Sequence, residues 1–410
     1  MDGASHDHRP GADMTKPKNY KKTLIACYLG FITQAITANL APLLFLTFKD
    51  TYDISLDLIA MIPLVFYLTQ LVVDLVATKF ADVIGYRACI IASQVLSSLG
   101  LILLATLPDM LQSPFVGIII SVVVYAVGSG LIEVLISPIV EACPFENKSG
   151  VMSLLHSFYC WGAVGVILGS TIFLAVFGTP CWRILTVIWA IVPLINTFNF
   201  FSCPIERLVD EGRGMSVGEL FCRPIFWLMI LLMICTGASE ATMAQWASAF
   251  TESALGVSKT IGDLLGPCLF AAFMGLTRLI YGKLGERLDL AKVMLGCGAL
   301  CVACYLLASL SPIPALGLIG CALCGMAVGI MWPGTISISS QKCPGGGTAM
   351  FALLALAGDL GASASPTMVG AVADAAGGNL KTGLLFATAF PLVLTLGIIC
   401  LLSFFGKKST

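Results

Sequence analysis

Residues Pro114 to Cys143 form an apolar run interrupted near its middle by one acid, in the stretch Gly128-Ser129-Gly130-Leu131-Ile132-Glu133-Val134-Leu135-Ile136-Ser137-Pro138. The run reads as a membrane-spanning helix. At roughly 1.5 Å per residue it crosses a hydrocarbon core of about 30 Å with some tilt, so Glu133 falls well inside the lipid boundary. An ionisable side chain facing lipid at that depth costs at least about 2.5 kcal/mol, and Glu133 is therefore expected to face protein or a water-filled path. Ala126, Gly130, Glu133, Ser137 and Glu141 recur at helical spacing on one small, polar stripe, and the opposite side is Val, Leu and Ile. Glu133 is thus a candidate functional acid. The alternative is a structural carboxyl hydrogen-bonded to a neighbouring helix.

The surrounding composition places this helix among many like it. Of 410 residues, 58% are hydrophobic and 11% charged, with a net charge of −1, which excludes an ordinary soluble domain. Windows of about nineteen residues give twelve apolar segments, at 20–48, 56–78, 88–107, 114–142, 149–177, 182–203, 223–252, 259–281, 291–309, 312–340, 345–373 and 380–405. The expected fold class is an all-α membrane protein with twelve transmembrane helices. With the N-terminus placed in the cytoplasm, seventeen of the 22 Lys and Arg fall on cytoplasmic segments, four (Lys49, Arg183, Lys259 and Lys381) fall outside, and the remaining one, Arg278, lies within the eighth span. This asymmetry predicts that both termini are cytoplasmic, in a multi-pass protein of the cell membrane. The 16 cysteines lie almost all within predicted spans without paired spacing and read as small packing residues. No metal-ligand spacing occurs and nothing points to nucleic acid. Residues 1 to 19, which include His6 and His8, read as a polar tail with no signal-peptide core.

The chain divides into a bundle at 20–203, a polar cytoplasmic connector at 204–222, a second bundle at 223–405 and a cytoplasmic tail at 406–410. The two bundles echo each other. The fourth span ends Glu141-Ala142-Cys143-Pro144 and the tenth ends Gln341-Lys342-Cys343-Pro344, with Gly130 and Ser137 matched by Gly329 and Ser337. After the second span comes Thr78-Lys79-Phe80-Ala81-Asp82-Val83-Ile84-Gly85-Tyr86-Arg87, and after the eighth Gly282-Lys283-Leu284-Gly285-Glu286-Arg287. Repeats in one orientation, six spans apart, predict two pseudo-symmetric six-helix bundles with a substrate site near the midplane where they meet.

The two-half pattern and the loop carrying Asp82 and Gly85 resemble the major facilitator superfamily, whose signature after the second helix is a Gly, an acid, a Gly and basic residues. Here Thr78 stands in place of the first Gly, and the second copy keeps Gly282, Glu286 and Arg287. Within that superfamily, Gly128, Gly130, Glu133, Ser137 and Pro138, followed by Pro144, are similar to the fucose permease branch of sugar:proton symporters. Gly358-Asp359-Leu360-Gly361 with Pro366, Gly370 and Asp374 is similar to the glycine-rich eleventh helix of the same branch. The resemblance implies alternating access and a cytoplasmic gate. The branch also has an acid in its first helix, where this chain offers only Gln34, Thr37 and Asn39, and Ser137 stands where it has Asn.

Two further acids lie at mid-span, Glu240 and Asp359, and with Glu133 they are the candidates for coupling transport to protons or, alternatively, sodium. Candidates for the substrate cavity are Gln34, Asn39, Ser137, His156, Met243, Trp246 and Trp332. On a regular seventh helix Glu240 and Gln245 are expected to point apart. Asp74 and Arg278 occupy equivalent positions in the two repeats and read, with Asp82, Arg87, Glu286 and Arg287, as gate charges. No nucleophile elbow, zinc-protease or phosphate-loop motif occurs, so the chain reads as a non-enzyme without a cofactor. The expected function is transport of a small organic solute, a sugar or polyol, by a monomer in the lipid bilayer in symport with protons. The rivals are an exporter of amphiphilic compounds and a non-transporting membrane sensor.

Overall fold

The computed structural model describes residues 19–54, 56–206, 214–255, 264–377 and 379–405, and among them the regular secondary structure is helical throughout. The segment with His6 and His8, connector residues 207–213 and the terminal stretch 406–410 lie outside the described residues. In chain order the long helices are α1 (Tyr20–Leu43), α2 (Leu56–Ile84), α3 (Tyr86–Met110), α4 (Pro114–Ala142), α5 (Lys148–Phe177) and α6 (Trp182–Ser202). They continue with α7 (Pro224–Leu255), α8 (Leu269–Leu284), α9 (Leu290–Leu310), α10 (Ala315–Lys342), α11 (Gly347–Ala375) and α12 (Leu380–Ser403). Among the described residues, ten helices are long and apolar enough to cross a membrane, and α2 adds the shorter apolar stretch Met61–Ala77. The run expected as an eighth span begins with a wide π-turn, Leu264–Cys268, before α8. Pro267 sits in that turn, where its missing N–H prevents an ordinary helical bond.

Prolines also explain the breaks inside α10 and α12. The α10 segments Pro314–Val328 and Met331–Lys342 part around Gly329, whose carbonyl would normally bond the N–H of the residue four positions on. That residue is Pro333, which has none. Pro391 does the same to Ala387, where Leu380–Ala387 gives way to Ala389–Phe405.

Helices α1–α6 pack on one another, chiefly α3 on α4 and α6, α1 on α5, and α2 on α4. Helices α7–α12 form a second group in which α7 packs on α11 and α12, and α10 on α8 and α9. The groups meet along two main seams, α2 with α11 and α5 with α8. Within the second group, α7 and α11 approach backbone to backbone. A Cβ added at Gly361 would collide with the Ile234 carbonyl, and one at Gly237 with the Gly358 carbonyl. Gly361→Val is therefore expected to destabilise by about 1–3 kcal/mol, because the obstacle is backbone and cannot rotate away. Thermal unfolding of the purified protein measures this, and an unchanged midpoint would show that the seam has room to spare.

One end of the assembly is tied shut. There the Tyr86 and Thr348 hydroxyls hydrogen-bond across the groups, Ser340 Oγ donates to Glu141 Oε1 at 2.9 Å, and Ser153 Oγ donates to the Arg278 carbonyl at 2.8 Å. Lys148 Nζ secures Glu141 from the α5 side, 2.6 Å from its carbonyl oxygen and 3.7 Å from its carboxylate. The connector reaches the same end, where the Met215 N–H donates to the Gly345 carbonyl at 2.9 Å. Its short helix, Val217–Phe221, starts with a reciprocal Ser216–Glu219 cap, and the Ser216 N–H holds the Glu219 carboxyl below its ordinary range.

Candidate functional site

Above the tied end, a cavity of about 370 Å³ separates the two helix groups. Its floor is lined by Ser137, Ile336 and Arg278, and its lining continues toward the other end to Asn39, Gln245 and Pro267. The wall from α1–α6 carries Gln34, Gln70, Glu133 and His156, and the wall from α7–α12 carries Glu240, Trp332 and Asp359. A mostly apolar concavity at the junction of two bundles, with a few aimed polar side chains, is the arrangement expected of a small-ligand site.

Glu133 is the meeting point of three helices. Its Oε2 accepts from Gln34 Nε2 of α1 at 3.0 Å and from Gln70 Nε2 of α2 at 3.2 Å, and Gln70 also reaches Ser129 Oγ at 3.3 Å. Two neutral amides thus hold the carboxyl and no basic side chain is among these partners. Gln34 is the α1 side chain that reaches this carboxyl. Gln70 was not singled out by sequence reading, although its place one turn before Asp74 on a polar stripe of α2 was a usable signal. Next to Glu133 on α4, Ser137 Oγ lies 3.3 Å from His156 Nε2, and the imidazole packs against the Phe31 ring with centroids 4.7 Å apart.

Arg278 is the hub of the opposite wall. Its Nε donates at 2.8 Å to the Gly329 carbonyl, the group that Pro333 leaves without an intrahelical donor. Nη1 donates to the His156 carbonyl at 3.2 Å and Cys160 Sγ at 3.1 Å, and Nη2 pairs with Glu240 Oε2 at 3.3 Å. One planar fork therefore ties α8 to α10, α5 and α7. Its bonds to α5 cross between the helix groups, and the same residue also lines the cavity.

The other residues singled out by sequence fall in several places. Met243 is fully buried in the core, and Trp246 donates from Nε1 to the Pro366 carbonyl at 3.2 Å; neither is among the residues lining the cavity. Gln245, expected on the far side from Glu240, lines the cavity together with Ala241 and Ala244. At 100° per residue Glu240 and Gln245 are roughly 140° apart, and the cavity-facing arc of α7 is centred between them rather than on Glu240. Asp74 is completely buried beside Asp359. Arg87 does not bridge the groups through its described bonds. It donates to the carbonyls of Phe200 at 2.7 Å, Phe201 at 3.1 Å and Cys203 at 2.9 Å, capping the end of α6. Arg287 lies exposed in the turn after α8, while the side chains of Asp82 and Glu286 lie outside the described residues.

Comparison with known proteins follows the same lines. The family described as Major Facilitator Superfamily matches residues 26–366. Among solved structures, the Escherichia coli fucose:proton symporter superposes with a TM-score of 0.80 at 16% identity, covering 93% of this chain and 99% of that one. A proton:xylose symporter gives 0.78 at 12% identity over 94% and 95%, and a human organic anion transporter, TETRAN, gives 0.72 at 14% over 93% and 100%. At these identities the likeness is one of fold. In sequence, human solute carrier organic anion transporter family member 2B1 is 34% identical over 99 residues, 24% of this chain. Its mouse counterpart is 33% identical over 99 residues. The matched stretch spans only 14% of the length of each of these relatives.

Proposed function

Because the chain belongs to the major facilitator superfamily, we propose that it is a secondary active transporter that carries a sugar or related polyol by alternating access in symport with protons. The observation that carries this reading is the cavity itself: about 370 Å³ between two helix groups, tied shut at one end. It is lined by groups that suit a polyhydroxy solute. Gln34, Asn39, Gln70, Ser137 and His156 supply donors and acceptors on one wall, and Trp332 on the other offers an aromatic face for a sugar ring. The acids Glu133, Glu240 and Asp359 share the same space, which gives a transported proton places to reside next to the solute. The fold neighbours named as fucose:proton and xylose:proton symporters support the same direction.

Uptake of radiolabelled hexoses and polyols into proteoliposomes, with the pH gradient imposed in either direction, tests the reading. Accumulation against a concentration gradient only when the outside is acidic supports it, and flux indifferent to the gradient points to a uniporter. A ligand that binds without any flux points to a sensor.

A second reading has its own observation. Arg278 places a guanidinium on the cavity wall with Glu240 as its counter-ion, an arrangement that an anionic solute can enter by replacing the glutamate. The organic anion transporters among the similar proteins favour testing it. Including mono- and dicarboxylates in the same uptake assay separates the two substrate classes.

The basic-residue asymmetry gives the orientation, with both termini and the tied end in the cytoplasm and the cavity facing outward. An impermeant thiol reagent applied to intact cells is expected to leave the exposed Cys222, in the connector, unlabelled. Labelling from outside would reverse the topology and, with it, the direction assigned to the cavity.

A further inference from the structure

Glu133 is held by one of its two oxygens. Gln34 Nε2 and Gln70 Nε2 both donate to Oε2, at 3.0 Å and 3.2 Å, and Gln70 Nε2 also reaches Ser129 Oγ at 3.3 Å. The amide nitrogens are thereby committed to protein, and their carbonyl oxygens are left over. Neither these two oxygens nor Glu133 Oε1 accepts a hydrogen bond from the described residues, and none of the three is sealed from water. All three side chains line the cavity, from α1, α2 and α4. They leave acceptors there for a ligand that brings donors.

Charge points the same way. No basic side chain is among the partners of Glu133. Arg278, the one arginine or lysine lining the cavity among the described residues, already pairs with Glu240 at 3.3 Å and donates to Gly329, His156 and Cys160. Asp359 on the opposite wall adds a further acid. An ionised Glu133 therefore faces a partly enclosed space without a counter-ion, an arrangement that stays costly until something positive arrives. Beside a neutral sugar, that something is a proton. A solute with a primary ammonium group brings the charge itself, together with three N–H donors for the open acceptors.

We propose that the cavity accepts amino sugars and amino polyols as a second class of cargo. Their ammonium group binds Glu133 Oε1 and the Gln34 and Gln70 carbonyls, in the place of the coupling proton. The inference rests on the sugar-transport reading and extends it, because the remaining hydroxyls of such a solute meet the same lining, Asn39, Ser137 and Trp332 among it. One positive charge crosses with each solute in either case. With a neutral sugar it is the proton, and with an amino sugar it is the ammonium, with no proton alongside.

The test uses the full-length protein in proteoliposomes at symmetric pH 6, with an inside-negative membrane potential. The probes are matched pairs in which an amine replaces one hydroxyl: glucose and glucosamine, galactose and galactosamine, sorbitol and glucamine. An amine beside sugar hydroxyls titrates like an α-amino group, at about pH 8, so at pH 6 it is almost wholly ammonium. At least one amino probe is expected to inhibit uptake of its neutral mate and to accumulate itself. A lumenal pH dye is expected to report acidification during entry of the neutral member and none during entry of the amine. Glu133→Gln is expected to weaken the amino probe, relative to its neutral mate, by about tenfold or more. If that variant does not fold, Gln34→Met and Gln70→Met carry the same comparison, each removing one carbonyl acceptor.

Neutral sugars transported while every amino mate is ignored overturns the proposal and keeps the sugar reading. An amino probe whose relative affinity is unchanged in Glu133→Gln also overturns it, since its ammonium then binds elsewhere. Accumulation that requires sodium, with sodium displacing the amino probe, overturns it in favour of a metal cation at the same oxygens. If neither member of any pair binds, the sugar reading falls together with it.

Discussion

Arg278→Gln is expected to lower the unfolding stability of the purified protein by about 3 kcal/mol or more and to abolish transport. The guanidinium is 3% exposed and holds four acceptors on three helices beyond its own: the Gly329 and His156 carbonyls, Cys160 Sγ and the Glu240 carboxylate. Glutamine reaches at most one of them. The Gly329 carbonyl then loses the donor that substituted for Pro333, and Glu240 is left without its counter-ion at the edge of the cavity. Arg278→Lys keeps the charge but not the planar fork. It is expected to fold, with uptake reduced by tenfold or more, because one ammonium cannot span Gly329, His156 and Glu240 together.

Unfolding of Arg278→Gln, Glu240→Gln and the double variant apportions the loss. If most of it comes from the uncompensated Glu240, the double variant recovers stability. If it comes from the stranded carbonyls, the double variant is as unstable as the single one. An Arg278→Gln protein as stable and active as the wild type would remove Arg278 from the role of hub altogether.

Most of the spans, the two helix groups and the place of Glu133 partway along α4 were legible because hydropathy and helical period are properties of a single stretch of sequence. What lay beyond reach was the partner of each face. Asp74 and Arg278 looked equivalent because they occupy matching repeat positions, yet Asp74 meets Asp359, an acid from the other helix group, and Arg278 meets Glu240 of its own group. Periodicity says which residues of α2 share a side, and it does not say that α11 is what lies there. The same limit explains α7, where Glu240 and Gln245 were expected to point apart, yet both line the cavity, with the Glu240 side chain 22% exposed. The arc runs through Ala241 and Ala244, so Gln245 reaches the cavity and Met243 turns into the core. Arg87 belonged to a gate motif by spacing, but its bonds cap α6, since the carbonyls at a helix end attract the nearest guanidinium whatever motif it sits in. The breaks at Gly329 and Ala387 are encoded locally, in the prolines four residues on, although nothing local shows that Arg278 fills the first.

Glu133→Gln is expected to bind solute and exchange it between equal concentrations, yet to lose accumulation driven by a pH gradient. Glutamine has the shape of the protonated acid and keeps one oxygen. The bonds from Gln34 Nε2 at 3.0 Å and Gln70 Nε2 at 3.2 Å, both to Oε2, can therefore be retained with α1, α2 and α4 in place. What the amide cannot do is take up and give back a proton. Glu133 lines the cavity between the two amides, so it is placed to exchange a proton with the solute space. Paired counterflow and gradient-driven uptake for Glu133→Gln, Glu240→Gln and Asp359→Asn resolves the route. Counterflow intact with accumulation lost in Glu133→Gln assigns it the proton and rejects a purely structural carboxyl. Full accumulation in that variant takes Glu133 out of the path. The proton would then have to enter at Asp359 directly, since Asp359 lines the same cavity and Glu240 already neutralises Arg278.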